Sequence, residues 1–379
     1  MRADNRTALF EGRTGGLAVG PRLAASFEAG ASIARSSVCE ADVVPVPAVA
    51  EPPVLRVQDL RVAFRSGSDQ ICTVDGVSFA IQPGETVALV GESGSGKSVT
   101  SLAIMGLLAK PPATVSGKID FHDAAGKEWE FSSLTDPQMR AFRGDRVAMI
   151  FQEPMTSLNP VHTVGDQISE SLLVHRKMTR RERHQAAVAM LARVGIPEPE
   201  KRAAAYPHEL SGGMRQRVMI GMALICGPRL LIADEPTTAL DVTIQAQILS
   251  DLKKLQDELG MAMLFVTHDL GVVAEIAHSV VVMYAGQVVE SGSTAEILAS
   301  PRHPYTRALL NSIPRTSVDR KRPLMAIPGS VPDPRHMPDG CRFNPRCQHA
   351  VVGLCDRQAP VIESDANGRQ VRCLRWGEL

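Results

Sequence analysis

A chain of 379 residues can hold two or three compact units, and 44% hydrophobic with 22% charged residues is the make-up of a globular protein with a sizeable core. Lysine plus arginine equals aspartate plus glutamate at 41 each, so no net field draws the chain to nucleic acid or anionic lipid, and any polyanion must be held at a local site. No apolar run approaches the roughly 18 residues that cross a bilayer, the best candidate being 218–226, and the N-terminus lacks an apolar block with a small-residue cleavage site, so a cytoplasmic protein is expected.

Residues 1–52 are rich in Ala, Arg, Gly and Pro without a period of two or 3.6 and are expected to be disordered. Order is predicted from Val54, where Leu55, Val57, Leu60, Val62 and Phe64 mark a first strand, and a second strand over 76–81 stops at Pro83-Gly84. Residues 86–90 form a β-prone apolar run entering Gly91, and 98–108 has helical spacing, which makes a strand, a glycine loop and a helix. Four more apolar runs, 147–151, 230–233, 263–266 and 280–283, read as buried strands of a mainly parallel sheet. From Val164 to Ile225 the period is helical instead, with Ile168, Leu172, Leu173, Val188, Leu191 and Val194 on the apolar stripe; this predicts a helical subdomain, about 155–225, inserted in the sheet domain. Beyond Pro301, Pro, Arg and Cys rise and periodicity fades, marking a separate C-terminal segment.

Gly91, Glu92, Ser93, Gly94, Ser95, Gly96, Lys97 and Ser98 fit the phosphate-loop pattern and lie between a predicted strand and helix, as that pattern requires; Val99 is taken with them as nucleotide-contacting. Glycines let successive N–H groups point at phosphate oxygens while the following helix adds its positive end. Lys97 would reach the β- and γ-phosphates of ATP and the Ser98 hydroxyl Mg²⁺. The plain alternative, a flexible Gly/Ser loop, shrinks in this context. The run 230–233 ends in Asp234 and Glu235: Asp234 can hold Mg²⁺ through water and Glu235 can polarise the attacking water. Paired acids after a strand are ordinarily a solvated turn, and the loop upstream favours the catalytic reading. Gln152 and His268, each just after a predicted strand, are donors expected to face one γ-phosphate, Gln152 also as a Mg²⁺ ligand.

The stretch Leu210-Ser211-Gly212-Gly213-Met214-Arg215-Gln216-Arg217 closely resembles the signature of ABC ATPases, with Met214 where many members have Gln. Thr237-Thr238-Ala239-Leu240-Asp241 resembles their D-loop and Val266-Thr267-His268-Asp269 their switch-histidine loop. The resemblance covers about 54–379. It implies an α/β fold: an ABC-type P-loop domain over 53–300, with a RecA-like mainly parallel sheet, an antiparallel β subdomain and an inserted helical subdomain, then a small Cys-rich C-terminal domain over 301–379. It also implies head-to-tail pairing with a second cassette, identical or paralogous, in which Ser211, Gly212, Gly213 and Asp241 serve the partner's phosphate loop. Phe64 matches the aromatic that stacks on adenine in such cassettes, though as a lone Phe it fits core equally.

Phe151-Gln152-Glu153-Pro154-Met155-Thr156-Ser157-Leu158-Asn159-Pro160 and the stretch 301–310, Pro-Arg-His-Pro-Tyr-Thr-Arg-Ala-Leu-Leu, look like hallmarks of ATPase subunits of oligopeptide and dipeptide importers, a group that includes nickel importers. That resemblance implies ATP hydrolysis coupled to uptake through two polytopic permease subunits, with an extracytoplasmic solute-binding protein and no nucleic acid, at the cytoplasmic face of the inner membrane. A soluble ABC ATPase acting on DNA or ribosomes is the alternative, but such proteins usually carry two cassettes or a long coiled coil. Cys341, Cys347, Cys355 and Cys373, with five, seven and seventeen residues between them, are spaced more loosely than zinc knuckles. Four thiolates suit an iron–sulfur cluster or zinc; the resemblance implies a [4Fe–4S] cluster, and four thiols in a loose tail is the bland reading.

Overall fold

Alternating apolar residues build the first of two sheets. The structure is a computed structural model that describes residues 51–152, 157–238, 240–312 and 327–379; the N-terminal stretch expected to be disordered lies, up to residue 50, outside them. Strand β1 (Leu55–Ser66) pairs antiparallel with β2 (Asp69–Ile81) and β4 (Ala113–His122), and β5 (Glu128–Glu130) lies outside β4. Leu55, Leu60 and Val62 are fully buried, with Phe121 facing them from β4. Strand β2 starts earlier than predicted because its first half is a hairpin arm on β1, where backbone pairing rather than apolar pattern sets the boundary. The periodicity does not announce β4, since Ser116, Gly117 and Lys118 interrupt it.

The second sheet carries the strands read from apolar runs: β3 (Thr86–Val90), β6 (Val147–Ile150), β7 (Leu230–Asp234), β8 (Ala262–Thr267) and β9 (Ser279–Tyr284), followed by β10 (Gln287–Ser293), β11 (Glu363–Ser364) and β12 (Gln370–Val371). Its order is β11-β12-β10-β9-β3-β8-β7-β6. The stretch from β9 to β6 is parallel, whereas β10, β12 and β11 run antiparallel, so the sheet is mixed. Parallel strands are covered on both faces, which is why β3, β7 and β8 are buried from end to end and read as unbroken apolar runs. Parallel pairing also brings the C-terminal tips of β3, β6, β7 and β8 to one edge, where a ligand site is expected.

Helix α1 (Lys97–Ile104) follows β3 and ends before the predicted boundary, with Gly106 in the left-handed region two residues on. A short α2 (Asp136–Arg140) precedes the helical subdomain α3 (Val164–His175), α4 (Arg180–Arg193), α5 (Pro199–Ala203) and α6 (Gly212–Leu224). Ile168, Ala187, Leu191 and Val218 share one core there, continuous with the sheet face carrying Leu231, Met263 and Phe265. The run 218–226 is thus mostly the buried α6. Among the described residues no helix is long and apolar enough to cross a membrane. Helices α7 (Val242–Leu259), α8 (Leu270–Ile276), α9 (Thr294–Ala299) and α10 (Pro304–Asn311) are the remaining α-helices among the described residues.

The segment after Pro301 is joined to the main sheet by pairing and packing. Strand β12 extends the main sheet through β10, Arg369 pairs with Glu290 where both side chains are buried, and Tyr305 and Phe343 pack on Tyr284 of β9. Ala50–Leu379 is one compact unit.

Candidate nucleotide-binding site

The loop after β3 has a backbone that side chains would obstruct. A Cβ on Gly91 would lie 2.2 Å from the Met283 carbonyl oxygen, and one on Gly96, at φ +99°, 2.8 Å from that of Thr73. Gly96 caps α1 with no side-chain hydrogen bond, and no acid stands in the first turn, so the helix N-terminus suits an anion. The Ser95 hydroxyl is buried without a hydrogen-bond partner. Lys97 Nζ donates to the carbonyls of Gly91 (2.8 Å) and Glu92 (3.1 Å). Burial pushes the Lys97 pKa down, against the charges of Glu235, Asp234 and Glu92. A buried cation, an orphaned hydroxyl and an uncapped helix end form a fitting cradle for phosphate.

The acids lie opposite. The Ser98 hydroxyl donates to Asp234 Oδ1 at 3.2 Å, which puts two of the three expected Mg²⁺-holding residues side by side, while the third, Gln152, lies on Glu235. Burial raises the Asp234 pKa, with the Ser98 hydrogen bond opposing. Glu235 stands at φ +48°, with its N–H on the Val266 carbonyl. Its Oε2 accepts from Gln152 Nε2 at 3.1 Å and from the Thr238 hydroxyl at 3.0 Å, and its Oε1 meets His268 Nδ1 at 3.1 Å. Burial alone would raise the Glu235 carboxyl, yet the hydrogen bonds from His268 and Thr238 and the Lys97 charge carry it below its ordinary value. It is therefore an ionised carboxylate at neutral pH, able to accept a proton or orient water. Gln152 and His268, expected to face one γ-phosphate, converge on Glu235. Thr238 was not singled out from sequence, although it lies three residues on, where one turn brings it back.

The signature stretch lies at helix starts. Ser211 caps α6, its hydroxyl accepting from the Met214 N–H at 3.4 Å, and Asp241 caps α7, accepting from Ile244 at 2.9 Å; Ser211, Gly212 and Asp241 are exposed. A Cβ on Gly213 would lie 3.1 Å from Ile244, so the two helix starts are neighbours. Phe64 is half-buried against the core of the first sheet. Glu153 to Thr156 of the stretch after Phe151, and Ala239 of the D-loop-like stretch, lie outside the described residues. Two further residues that sequence reasoning did not connect to the loop, Tyr305 and Arg346, hold Glu92.

Cys341, Cys347, Cys355 and Cys373 all line one small cavity of about 20 Å³, walled by His303, Phe343 and Leu374. Burial pushes the Cys341 thiol up to about 11. The iron–sulfur expectation is not carried by this geometry: among the described residues no group of three or more His, Cys, Asp or Glu is placed to hold a metal ion. The four thiols share one cavity, but their positions fall short of a ligand set.

The ABC transporter family profile matches residues 74–238, and the profile of the oligopeptide/dipeptide transporter C-terminal region matches 289–355. The chain is 49% identical over 320 residues to the dipeptide transport ATP-binding protein DppD of Escherichia coli, covering 84% of this chain and 96% of that one. It is 50% identical over 326 residues to the oligopeptide transport ATP-binding protein AppD of Bacillus subtilis, covering 86% and 97%. Among solved structures, the dimeric post-hydrolysis state of the ATP-binding cassette MJ0796 with ADP and Pi superposes with a TM-score of 0.56 at 28% identity, over 63% of this chain and 98% of that one. The chain belongs to the ABC transporter family, as an ATP-hydrolysing subunit of its oligopeptide/dipeptide branch.

Proposed function

We propose that this chain drives import of short peptides by binding and hydrolysing ATP beneath two permease subunits. The observation that carries the reading is the pairing, in one compact unit, of a complete phosphate-loop and acid cluster with a C-terminal segment of the oligopeptide-transporter type. Residues 91–99 bind the phosphates, with Lys97 on the β- and γ-groups, and Phe64 stacks on the adenine. Ser98, Gln152 and Asp234 would hold Mg²⁺, which neutralises phosphate charge during transfer. Glu235 accepts the proton of the attacking water, and His268, Gln152 and Thr238 keep it ionised and aimed until then. Ser211, Gly212, Gly213 and Asp241 serve the site of a second cassette, in line with the dimer of MJ0796.

Beside Gln152 runs a groove of about 290 Å³ lined by Leu107, Met149, Phe151, Met219 and Met222, with Phe151 43% exposed. An apolar helix of a permease subunit fits this groove, so that changes at the acid cluster reach the membrane through Gln152. A solute-binding protein outside, and a peripheral seat for the chain at the cytoplasmic face of the inner membrane, belong to the same proposal. The same proposal keeps Cys341, Cys347, Cys355 and Cys373 as the residues that would hold a [4Fe–4S] cluster, or zinc. The division into a cassette up to about residue 300 and a C-terminal domain beyond it is part of the same reading.

The decisive experiment purifies the complex from host membranes and reconstitutes it in vesicles with ATP on the cassette side. Two polytopic subunits should accompany the chain, and labelled di- or tripeptide should accumulate with the wild type and not with Lys97→Ala. Uptake indifferent to Lys97, or ATPase indifferent to peptides together with their binding protein, would refute the proposal.

A further inference from the structure

The C-terminal segment reaches into the phosphate loop. Phe343 packs on Tyr284 and Tyr305 with ring centroids 5.1 and 5.4 Å away, which fixes the short turn Asn344–Arg346 on the sheet. From that turn Arg346, 8% exposed, extends its guanidinium to Glu92, the second residue of the loop. Nη1 donates to Oε2 at 2.8 Å and Nη2 to Oε1 at 3.2 Å, a two-pronged pair. The Arg346 Nε donates to the Pro328 carbonyl at 2.8 Å and Nη1 also reaches the Tyr284 hydroxyl at 3.4 Å, so the guanidinium is held on several sides. The Glu92 N–H donates to the Tyr305 hydroxyl at 2.9 Å. The phosphate loop is thus tied, through side chain and backbone, to residues 213 and 254 positions further along.

Glu92 is an awkward residue for a loop that binds a polyanion. Its carboxylate charge repels phosphate and, being near Lys97, offsets part of the positive charge that phosphate would meet there. We propose that Arg346 is a positioning residue for nucleotide binding: it draws the Glu92 carboxylate away from the loop's cavity and cancels its charge, so that affinity for a nucleoside triphosphate depends on the C-terminal segment. This rests on the reading of residues 91–99 as the ATP site.

The test measures MgATP binding to the full chain by calorimetry, and ATPase turnover in the assembled transporter. Arg346→Ala should weaken ATP binding about tenfold and raise KM in step, while kcat at saturating ATP stays within about twofold. Arg346→Lys, keeping the charge, should stay within about threefold of wild type. Glu92→Gln placed on top of Arg346→Ala should bring binding back to within about threefold, because the offending charge is gone. Unchanged binding in Arg346→Ala would overturn the proposal, and so would weakened binding that Glu92→Gln does not restore, since that marks a loss of packing. Should Arg346→Ala not fold, Arg346→Gln, which keeps a donor without the charge, carries the same expectations. Lys97→Ala separates the two readings: ATP binding that survives it refutes the ATP site itself, whereas a failure of the Arg346 series alone leaves that site standing.

Discussion

At the scale of single residues, Glu235 combines a left-handed backbone with a carboxylate held from several sides. Its left-handed backbone, at φ +48°, costs on the order of 1 kcal/mol or more for a side chain with a Cβ, and it persists because the N–H is tied to Val266 and three side chains hold the carboxylate. Glu235→Gln keeps the shape and removes the carboxylate proposed as the base. ATP binding should stay within a few-fold while turnover falls by about a hundredfold or more; turnover within a few-fold of wild type in a phosphate-release assay would exclude Glu235 as the base. Asp234 and Glu235 were legible from sequence because an apolar run stopped at them. The convergence of Gln152 and His268 on Glu235 was not, since strand-end position says which edge a side chain occupies but not which neighbour it meets.

At the scale of elements, the C-terminal helix and the cysteine cavity matter. His303 caps α10, its Nδ1 accepting from the Tyr305 N–H at 3.0 Å, and it is 1% exposed. Burial lowers its pKa from 6.5 to about 3, with the nearby charge of Arg372 adding to the effect. The unfolded chain therefore takes up a proton below about pH 6.5 that the folded chain refuses until about pH 3, so stability is lost as pH falls through that window. By pH 5 this amounts to about 2 kcal/mol. Thermal unfolding should show the midpoint dropping between pH 7 and pH 5, and His303→Asn, which keeps a capping acceptor, should flatten that slope; equal slopes in the two proteins would discount His303. For the cysteines, an anaerobic preparation should carry iron and broad visible absorption, both lost in Cys347→Ser. A colourless wild type containing zinc would favour the alternative metal, and one free of both would leave the four as plain thiols.

At the scale of the whole molecule, the C-terminal segment is stitched into the cassette by a strand pair, a buried ion pair and the two holds on Glu92. The starts of α6 and α7 are exposed, which leaves them free for the second cassette of the proposal. If Ser211 serves the partner's nucleotide as proposed, Ser211→Arg should leave ATP affinity of the isolated chain within about twofold yet cut ATPase of the assembled transporter at least tenfold. Full ATPase in that variant would detach the signature stretch from catalysis.

The amino-acid sequence by itself determined the parallel strands, the glycine loop, the acids at the strand tip and the helical stretch between β6 and β7. Each is written in contiguous residues, as an unbroken apolar run, a bend open to glycine, or a 3.6-residue period. Tertiary structure alone decided what joins distant stretches. Strand β4 forms through pairing with β1 despite a polar interruption, β12 extends the sheet from the far end of the chain, and Glu92 meets Arg346 across 254 positions. Such contacts leave no local period, because their free energy comes from burial and hydrogen bonds that exist only once the chain has folded.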